Sequence, residues 1–248
     1  MGEHDRDGCD EASQHAERTT VERCCYAPVI DRCHRCSIAS FARGSLGCIE
    51  FVLDTPDLRA FVSDVRATIA GARSPAETCA AIEPRFAELL ADEDWLPAQY
   101  QAPVPDSGMG GGIGQWLLCR AGDGSLSLFA LVVPPDAATP IHDHLAWGLV
   151  GLYRGTQDEE IYTHRGETLE LVERRSIEPG DFYSLIPPTD DIHRVRTTSA
   201  EASVSIHLLT NDTGCVWRHA YDEDGGVKPF RSGYVNVDCD PTEGGRDA

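Results

Sequence analysis

Apolar residues recur with a helical period in the part of the chain that precedes residue 95. The i, i+3, i+4, i+7 spacing of an amphipathic helix is followed by Leu58, Phe61, Val62, Val65 and Ile69. Ser74-Pro75-Ala76-Glu77 is a capping box with proline at the first helical position, so it predicts the start of a second helix. Pro84 is expected to kink or split that helix, whose apolar face is Ile82, Phe86, Leu89 and Leu90.

The pattern becomes strand-like from about residue 113. Short apolar segments are separated by turn signals such as Gly122-Asp123-Gly124 and Glu178-Pro179-Gly180-Asp181. Many short strands with no helix between them predict a β-sandwich or a closed barrel. The predicted strands lie near 115–120, 125–133, 140–144, 147–154, 159–163, 168–173, 182–186, 192–197 and 202–210.

These patterns divide the chain into four predicted segments. Residues 1–47 form a polar, Cys-rich tail that we expect to be disordered, and 48–112 form a helical segment that packs on the barrel. The barrel itself is predicted at 113–238, and 239–248 is predicted to be a loose tail.

Ten cysteines are present, and half of them lie in the first 36 residues. Cys33-x-x-Cys36 is compatible with a zinc site, but no hydrophobic pattern surrounds it, so a tail without a metal is favoured. The chain begins without the apolar stretch of a signal peptide, which argues against a disulfide framework. Cys119 and Cys215 are therefore expected to be small buried residues.

The net charge of the 248-residue chain is −20, with a pI near 4.7. Such a field repels phosphate backbones and anionic lipid surfaces, so neither a nucleic acid nor a membrane is an expected partner. No apolar run reaches membrane length, and a cytoplasmic protein is predicted. A small anionic substrate would need a local cation to hold it.

Candidate chemistry is concentrated at Pro140-Ile141-His142-Asp143-His144. In a strand, residues two apart point to the same face, so His142 and His144 would project together into a barrel. A divalent metal would satisfy both imidazoles, which need polar partners when buried. The alternative is a pair of solvated loop histidines, since HxH alone is a weak motif.

A second motif follows about 50 residues later, where the chain runs from Gly180-Asp181 through an apolar strand and Pro187-Pro188 to His193. With HxH, this pattern resembles the thiol dioxygenases of the cupin superfamily, and most closely the bacterial 3-mercaptopropionate dioxygenases, from about Trp116 to Asn236. The resemblance implies a mainly β fold, a cupin double-stranded β-helix (jelly-roll barrel) with an N-terminal α-helical segment. It also implies His142, His144 and His193 as the metal ligands.

One departure from the wider superfamily is informative. Most cupins carry a glutamate ligand a few residues after HxH, whereas this chain has Ala146-Trp147-Gly148 there. Three neutral imidazoles leave the ion its full charge, which suits an anionic thiolate. Fe(2+) is the expected cofactor because zinc would bind a thiolate without activating O2.

The segment Ser203–Leu209 resembles the outer-shell Ser–His–Tyr triad of the thiol dioxygenases. Ser205 and His207 occupy the first two positions and share a strand face with Leu209, which stands where the family has tyrosine. Ser205 and His207 are therefore the candidate catalytic residues beside the metal. Either another tyrosine substitutes for the missing phenol, or the substrate differs; the candidates are Tyr153, Tyr162, Tyr183 and Tyr234.

Substrate binding is predicted to rest on three residues. Arg218 lies eleven residues after His207, as the carboxylate-binding arginine does in the resembling subfamily, and a guanidinium is the right partner for a carboxylate. The alternative for Arg218 is a surface arginine. Gln115 lies on the strand where cysteine dioxygenases place an arginine, and Trp147 is expected to line the pocket, with core packing as its alternative.

The resemblance implies a dioxygenase that converts a small mercapto-carboxylic acid and O2 into a sulfinic acid, with 3-mercaptopropionate as the model substrate. Cysteine and mercaptosuccinate stay open as substrates. So do a cupin dioxygenase that cleaves a carbon–carbon bond, a metal-dependent isomerase, and a non-catalytic metal-binding sensor. The sequence leaves the oligomeric state unknown.

Overall fold

The computed structural model of the protein describes residues 47–105, 108–166 and 168–240. The described residues all belong to one compact unit, Ala42–Ala248. The predicted tail, with its Cys33-x-x-Cys36 motif, therefore lies outside the described residues apart from Gly47. The predicted C-terminal tail is described only at residues 239 and 240.

Two helices open the described part of the chain, as the apolar spacing predicts. They are α1 (Pro56–Gly71) and α2 (Pro75–Ala91), and Ala98–Gln101 forms a short 3-10 helix. The predicted cap is present, because Ser74 Oγ accepts a hydrogen bond from the Glu77 backbone N–H at 3.2 Å. The split expected at Pro84 is wrong, since α2 continues through it. Burial of Ile82 and Phe86 on either side of Pro84 holds this helix together.

Within the described residues, twelve strands form two antiparallel sheets of six strands each. Sheet 1 has the order β1-β2-β3-β10-β5-β8, and sheet 2 has the order β12-β11-β4-β9-β6-β7. The strands are β1 (Ile49–Phe51), β2 (Gly114–Ala121), β3 (Ser127–Val133), β4 (Ile141–His142), β5 (Gly148–Arg154), β6 (Gln157–Arg165), β7 (Thr168–Ile177), β8 (Phe182–Leu185), β9 (Ile192–Thr197), β10 (Ser203–Leu209), β11 (Arg218–Tyr221) and β12 (Val227–Phe230).

The predicted cupin jelly roll with N-terminal helices is confirmed by this architecture. Strands distant in sequence are neighbours in both sheets, as β10 lies between β3 and β5 in sheet 1 and β4 between β11 and β9 in sheet 2. All nine predicted strands are present as β2 to β10. The sequence pattern did not predict β1, β11 and β12. These strands are short and lie at or next to an edge of their sheet.

Sheet 1 separates two apolar clusters. Its outer face packs against the helices, with Phe86 and Leu90 of α2 so close to Gly151 of β5 that a methyl group there would meet both. Its inner face carries a smaller cluster that includes Phe129, Leu131 and Leu209. The alternation along β10 places Ile206 and Leu208 outside and leaves Ser205 and His207 inside. The polar positions of this strand therefore face the other sheet.

Residues 231–239, which we call the C-terminal segment, close the edge of the barrel. The Val235 backbone N–H donates to the Gln115 carbonyl at 2.8 Å, and the Asn236 side chain bonds both backbone groups of Leu117 at 2.9 and 3.0 Å. A disulfide joins Cys215 to Cys239. Cys215 is buried, as predicted, but its disulfide was not predicted, because the returning segment brings the partner from 24 residues away. Cys119 is a free buried residue, as predicted.

Among the described residues, no helix combines the length and apolar character needed to cross a membrane. The cytoplasmic location and the boundaries of the four segments stay predictions.

Candidate metal centre

The three predicted ligands lie together inside the barrel. His142 ends β4, His193 lies opposite it in β9, and His144 follows two residues after His142. Their ring centroids are 4.8 to 5.0 Å apart, and one nitrogen from each lies within 4.8 Å of the others. All three side chains are buried. This group could hold a metal ion.

The strand that was predicted at 140–144 ends at His142, so strand alternation does not orient His144. Asp191 does so instead. Its carboxylate accepts a hydrogen bond from the His144 backbone N–H at 2.9 Å, and its carbonyl oxygen lies 3.1 Å from His144 Nδ1. His142 Nδ1 lies 2.9 Å from the Pro140 carbonyl oxygen. Since a carbonyl only accepts, Nδ1 carries the proton in both rings and Nε2 is left to bind a metal.

Burial keeps the imidazoles of His142 and His193 neutral. It lowers the pKa of both well below the ordinary value, and the positive charge of Arg218 lowers both further. The neutral imidazole is the form that binds a metal ion. The donor set therefore fits a divalent transition metal such as iron or zinc.

No carboxylate joins the three imidazoles among the residues that the structure describes. Asp143, between the two ligands of HxH, turns away and accepts hydrogen bonds from the His219 backbone N–H and the Tyr221 hydroxyl at 2.8 and 3.0 Å. Gly148, in the region where most cupins carry the glutamate, has no room for a side chain, since a Cβ atom would lie 1.9 Å from the Leu208 carbonyl oxygen. At Gly148, the close approach of β10 therefore leaves no room for a glutamate ligand.

Substituting Gly148 by alanine should destabilise the barrel, because the new methyl group would meet the backbone of β10. We expect the free energy of unfolding to fall by about 2–3 kcal/mol, as measured by urea denaturation. Gly71→Ala is the matched control, because nothing lies within 4 Å of a Cβ atom at the end of α1. Equal stability of the two variants would contradict the close approach of β5 and β10.

A series of contacts between buried polar side chains supports His193 on its Nδ1 side. Tyr183 lies with its hydroxyl 3.4 Å from His193 Nδ1 and donates to Glu159 Oε1 at 2.7 Å. Burial raises the pKa of Glu159 to about 7, and Arg175 Nε lies 4.0 Å from its other oxygen. The Tyr183 hydroxyl thus links the buried Glu159 carboxyl group to the His193 ring and helps to orient that ring.

Tyr183→Phe should weaken metal binding without unfolding the protein. The ring keeps its packing but the link between Glu159 and His193 is lost, so we expect the metal dissociation constant to rise by about 10–100-fold. Competition with a chromogenic chelator measures this directly. Tyr162→Phe is the matched control, since that hydroxyl bonds Glu160 at 3.0 Å and contacts no ligand. An unchanged affinity in Tyr183→Phe would refute the supporting role.

Ser205 and His207 form a hydrogen-bonded pair on the inner face of β10, as predicted. Ser205 Oγ lies 2.9 Å from His207 Nε2, and the imidazole stacks on Phe129 with centroids 4.7 Å apart. Burial lowers the pKa of His207 well below its ordinary value, and the positive charge of Arg218 lowers it further. His207 Nδ1 is buried with no hydrogen-bond partner among the described residues.

Leu209 occupies the third position of this face and is completely buried in the inner apolar cluster. None of the four candidate tyrosines bonds His207. Tyr183 contacts His193, and Tyr234 packs on the far side of Phe129, with ring centroids 6.0 Å apart. Tyr153 and Tyr162 bond Glu93 and Glu160 elsewhere.

Arg218 is a buried residue, 2% exposed, so the surface alternative is wrong. Its guanidinium donates to the Asp143 carbonyl and to Ser232 Oγ, both at 2.8 Å, and lies 4.5 Å from the centre of the Phe230 ring. Burial lowers its pKa to about 10, which leaves it charged at neutral pH. No carboxylate of the described residues lies within ion-pair distance of it. This cation is therefore short of an anion.

The other two predicted substrate-binding residues differ in their outcome. Gln115 lies on the inner side of β2, is buried, and leaves its side-chain Nε2 without a partner among the described residues. The predicted position of Trp147 in the pocket is wrong. Its side chain packs against the apolar cluster between sheet 1 and the helices. It shares the outer face of sheet 1 with Leu149 and Tyr153, which follow it at intervals of two.

The groups that orient the ligands were not identified from the sequence. These are Asp191 and Glu159. Asp143 and Ser232, which contact Arg218, were also missed, and Tyr183 was named only as a substitute for the missing phenol. Asp143 could have been singled out from the sequence, because it is an acidic residue between the two histidines of HxH. The others act through contacts between strands that are distant in sequence.

No protein-family model matches the chain. Among solved structures, the chain is similar to oxalate decarboxylase from Lactobacillus farciminis, with 12% identity over 36% of this chain and 25% of that chain and a TM-score of 0.30. It is also similar to the DMSP lyase DddQ from Ruegeria pomeroyi, with 20% identity over 36% of this chain and 40% of that chain and a TM-score of 0.28.

A cupin domain of an XRE-family transcriptional regulator from Enterobacter cloacae is similar at 17% identity, over 39% of this chain and 94% of that chain, with a TM-score of 0.30. The matches span less than half the length of the decarboxylase and lyase chains. Similarities this distant do not assign an activity. The strand order gives the chain a cupin-type fold, and the three buried histidines inside it form a candidate metal centre.

Proposed function

We propose that the protein is a non-haem iron(II) thiol dioxygenase, which converts a small mercapto-carboxylic acid such as 3-mercaptopropionate, with O2, into the sulfinic acid. The observation that carries the proposal is a buried, charged Arg218 that lacks an anionic partner among the described residues and lies near three neutral imidazoles. Its proximity is evident from the hydrogen bond that Arg218 Nη1 donates, at 2.8 Å, to the carbonyl oxygen of Asp143, the residue between His142 and His144.

Charge balance favours a substrate with two negative groups. A divalent ion on three imidazoles and a guanidinium would together place three positive charges inside the barrel. Asp191 and Glu159 lie behind the ligands, 3.5 Å from His144 Nδ1 and 3.8 Å from His193 Nδ1, and no carboxylate of the described residues forms an ion pair with Arg218. Buried charges are stable only when they are paired. A thiolate and a carboxylate on one small molecule would supply both missing partners, because a sulfur anion binds soft metals and a carboxylate fits the guanidinium fork.

Each residue of the inner face has a distinct part in this proposal. Arg218 binds the substrate carboxylate and fixes the position of the sulfur. His207, held by Ser205 and by stacking on Phe129, presents Nδ1 as a hydrogen-bond partner for the reacting groups. Leu209 gives the site a water-excluding apolar side. When bound, iron(II) supplies the redox chemistry that joins both atoms of O2 to the sulfur.

The balance of the reaction is simple. The thiol sulfur forms two bonds to oxygen, the bond within O2 breaks, and all the electrons that reduce O2 come from the sulfur. No external reductant is needed. The sulfinate product keeps its carboxylate, so Arg218 can hold both substrate and product.

A thiol panel tests the proposal. The full chain is loaded with iron(II) without oxygen, and O2 uptake is then measured with 3-mercaptopropionate, cysteine, mercaptosuccinate and the uncharged 1-propanethiol, with products identified by mass spectrometry under 18O2. We expect a sulfinate carrying two 18O atoms from a mercapto acid. Zinc-loaded protein is the matched control and should consume no O2. Absence of sulfinate from every thiol would overturn the proposal, and O2 uptake from another substrate class would favour a carbon–carbon cleaving cupin.

A further inference from the structure

A cavity of about 540 Å³ lies where the C-terminal segment closes the barrel edge. Gln115 of β2 forms part of one wall, and Arg231, Ser232 and Tyr234 of the C-terminal segment form another. This volume is in the range of binding pockets for small molecules. It is much larger than a three-carbon mercapto acid requires.

Two hydrogen-bond donors of the cavity lack acceptors. The Gln115 side chain is 4% exposed, yet its Nε2 has no partner among the described residues. Arg231 holds its guanidinium 5.0 Å from the centre of the Trp217 ring and forms no ion pair with a described carboxylate, although Asp238 also lines the cavity. Leaving a buried amide donor unpaired is destabilising, so an acceptor group in the cavity would be favourable.

The cavity adjoins the candidate metal centre. Ser232 belongs to its wall and accepts the hydrogen bond from Arg218 Nη2 at 2.8 Å. Gln115 is paired across the sheet with Leu131 of β3, and Leu131 is paired with Ser205 of β10. Gln115 and Ser205 therefore lie at the same height along their strands on the inner face, two strands apart. At a strand spacing of about 4.8 Å, their backbones are about 10 Å apart. One extended molecule can therefore span both.

We infer that the cavity binds a second carboxylate of the substrate, carried on a side arm and held by Gln115 and Arg231. This inference rests on the proposed function, and it narrows the substrate class to mercapto acids with two carboxylates. The first carboxylate binds Arg218 near the metal. The second lies at the barrel edge, where a neutral amide and a partly exposed guanidinium donate to it.

A matched pair of thiols tests the inference on the iron-loaded full chain. 2-(Mercaptomethyl)pentanedioate and 2-(mercaptomethyl)pentanoate share the thiol, the first carboxylate and the side-arm carbons, and differ in the second carboxylate. We expect kcat/KM to be about tenfold higher for the dicarboxylate, as one charge-assisted contact would give. Gln115→Leu and Arg231→Gln should each bring the ratio of the two values close to one. Arg165→Gln, at the exposed turn of the β6–β7 hairpin, should preserve it.

A ratio near one in the unchanged protein, or a ratio that neither variant alters, would overturn the inference while leaving the dioxygenase proposal intact. If no thiol is oxidised, the proposed function fails, and the cavity is then tested alone by calorimetric titration of the full chain with pentanedioate. Binding that Arg231→Gln weakens about tenfold would support a carboxylate site. Binding that is undetectable, or equal in Arg231→Gln and Arg165→Gln, would refute it.

Discussion

His193→Ala should remove iron binding and, with it, all thiol-dependent O2 uptake. The three imidazoles form the one group of candidate metal ligands found among the described residues, and the loss of one leaves only two of them. We expect iron in the purified variant to fall from about one ion per chain to background, and the metal dissociation constant to rise by more than about a hundredfold. Metal analysis after gel filtration, followed by chelator competition, measures both quantities. His142→Ala and His144→Ala should behave in the same way.

His164→Ala provides the matched control. This histidine lies exposed on β6, and its ring packs 5.5 Å from that of Tyr221 without contact to the ligands. Iron content and O2 uptake should equal those of the unchanged protein. Full iron binding by His193→Ala, with the fold intact by circular dichroism, would show that the metal lies elsewhere.

Arg218→Met should lower kcat/KM for 3-mercaptopropionate by about a hundredfold or more. The substituted side chain keeps the length of the arginine stem but cannot pair with a carboxylate, and losing one partner of a buried charge pair costs about 2–5 kcal/mol. The same variant should lower the value for 1-propanethiol by less than about tenfold, because that thiol has no carboxylate to lose. Steady-state O2 consumption with both thiols measures the two effects.

The interpretation depends on the ratio between the two thiols, because Arg218 also donates to the Asp143 carbonyl and to Ser232. Loss of these bonds alone would impair both substrates equally. Arg218→Lys keeps the charge but not the planar fork, so it should recover part of the preference for 3-mercaptopropionate. An equal loss for the two thiols in Arg218→Met would contradict a carboxylate-binding role and leave Arg218 as a structural residue.

Much of the fold could be predicted because its patterns are local. Helical spacing from Leu58 to Ile69 and the capping box at Ser74 depend on neighbouring residues alone, and both helices begin close to where the sequence indicates. Strand alternation also predicted that Ser205, His207 and Leu209 share the inner face of β10. Burial at every second position is the physical reason for that success.

Errors arose where the decisive contact is distant in sequence. His144 is oriented by Asp191 and not by a strand, and Cys215 pairs with Cys239 because the C-terminal segment returns to the barrel edge. β11 was missed because a strand of four residues that starts with Arg218 and His219 lacks an apolar pattern. Trp147 was assigned to the wrong face because β5 is buried on both faces, so its apolar pattern does not show which face packs against the helices.

The central claim is that three neutral imidazoles hold iron and leave a coordination position for a thiolate. X-ray absorption at the iron edge, recorded without oxygen before and after addition of 3-mercaptopropionate, tests it most directly. The claim predicts imidazole scattering from three histidines in the first spectrum and one new sulfur neighbour in the second. A carboxylate ligand in the first spectrum, or no sulfur in the second, would contradict it.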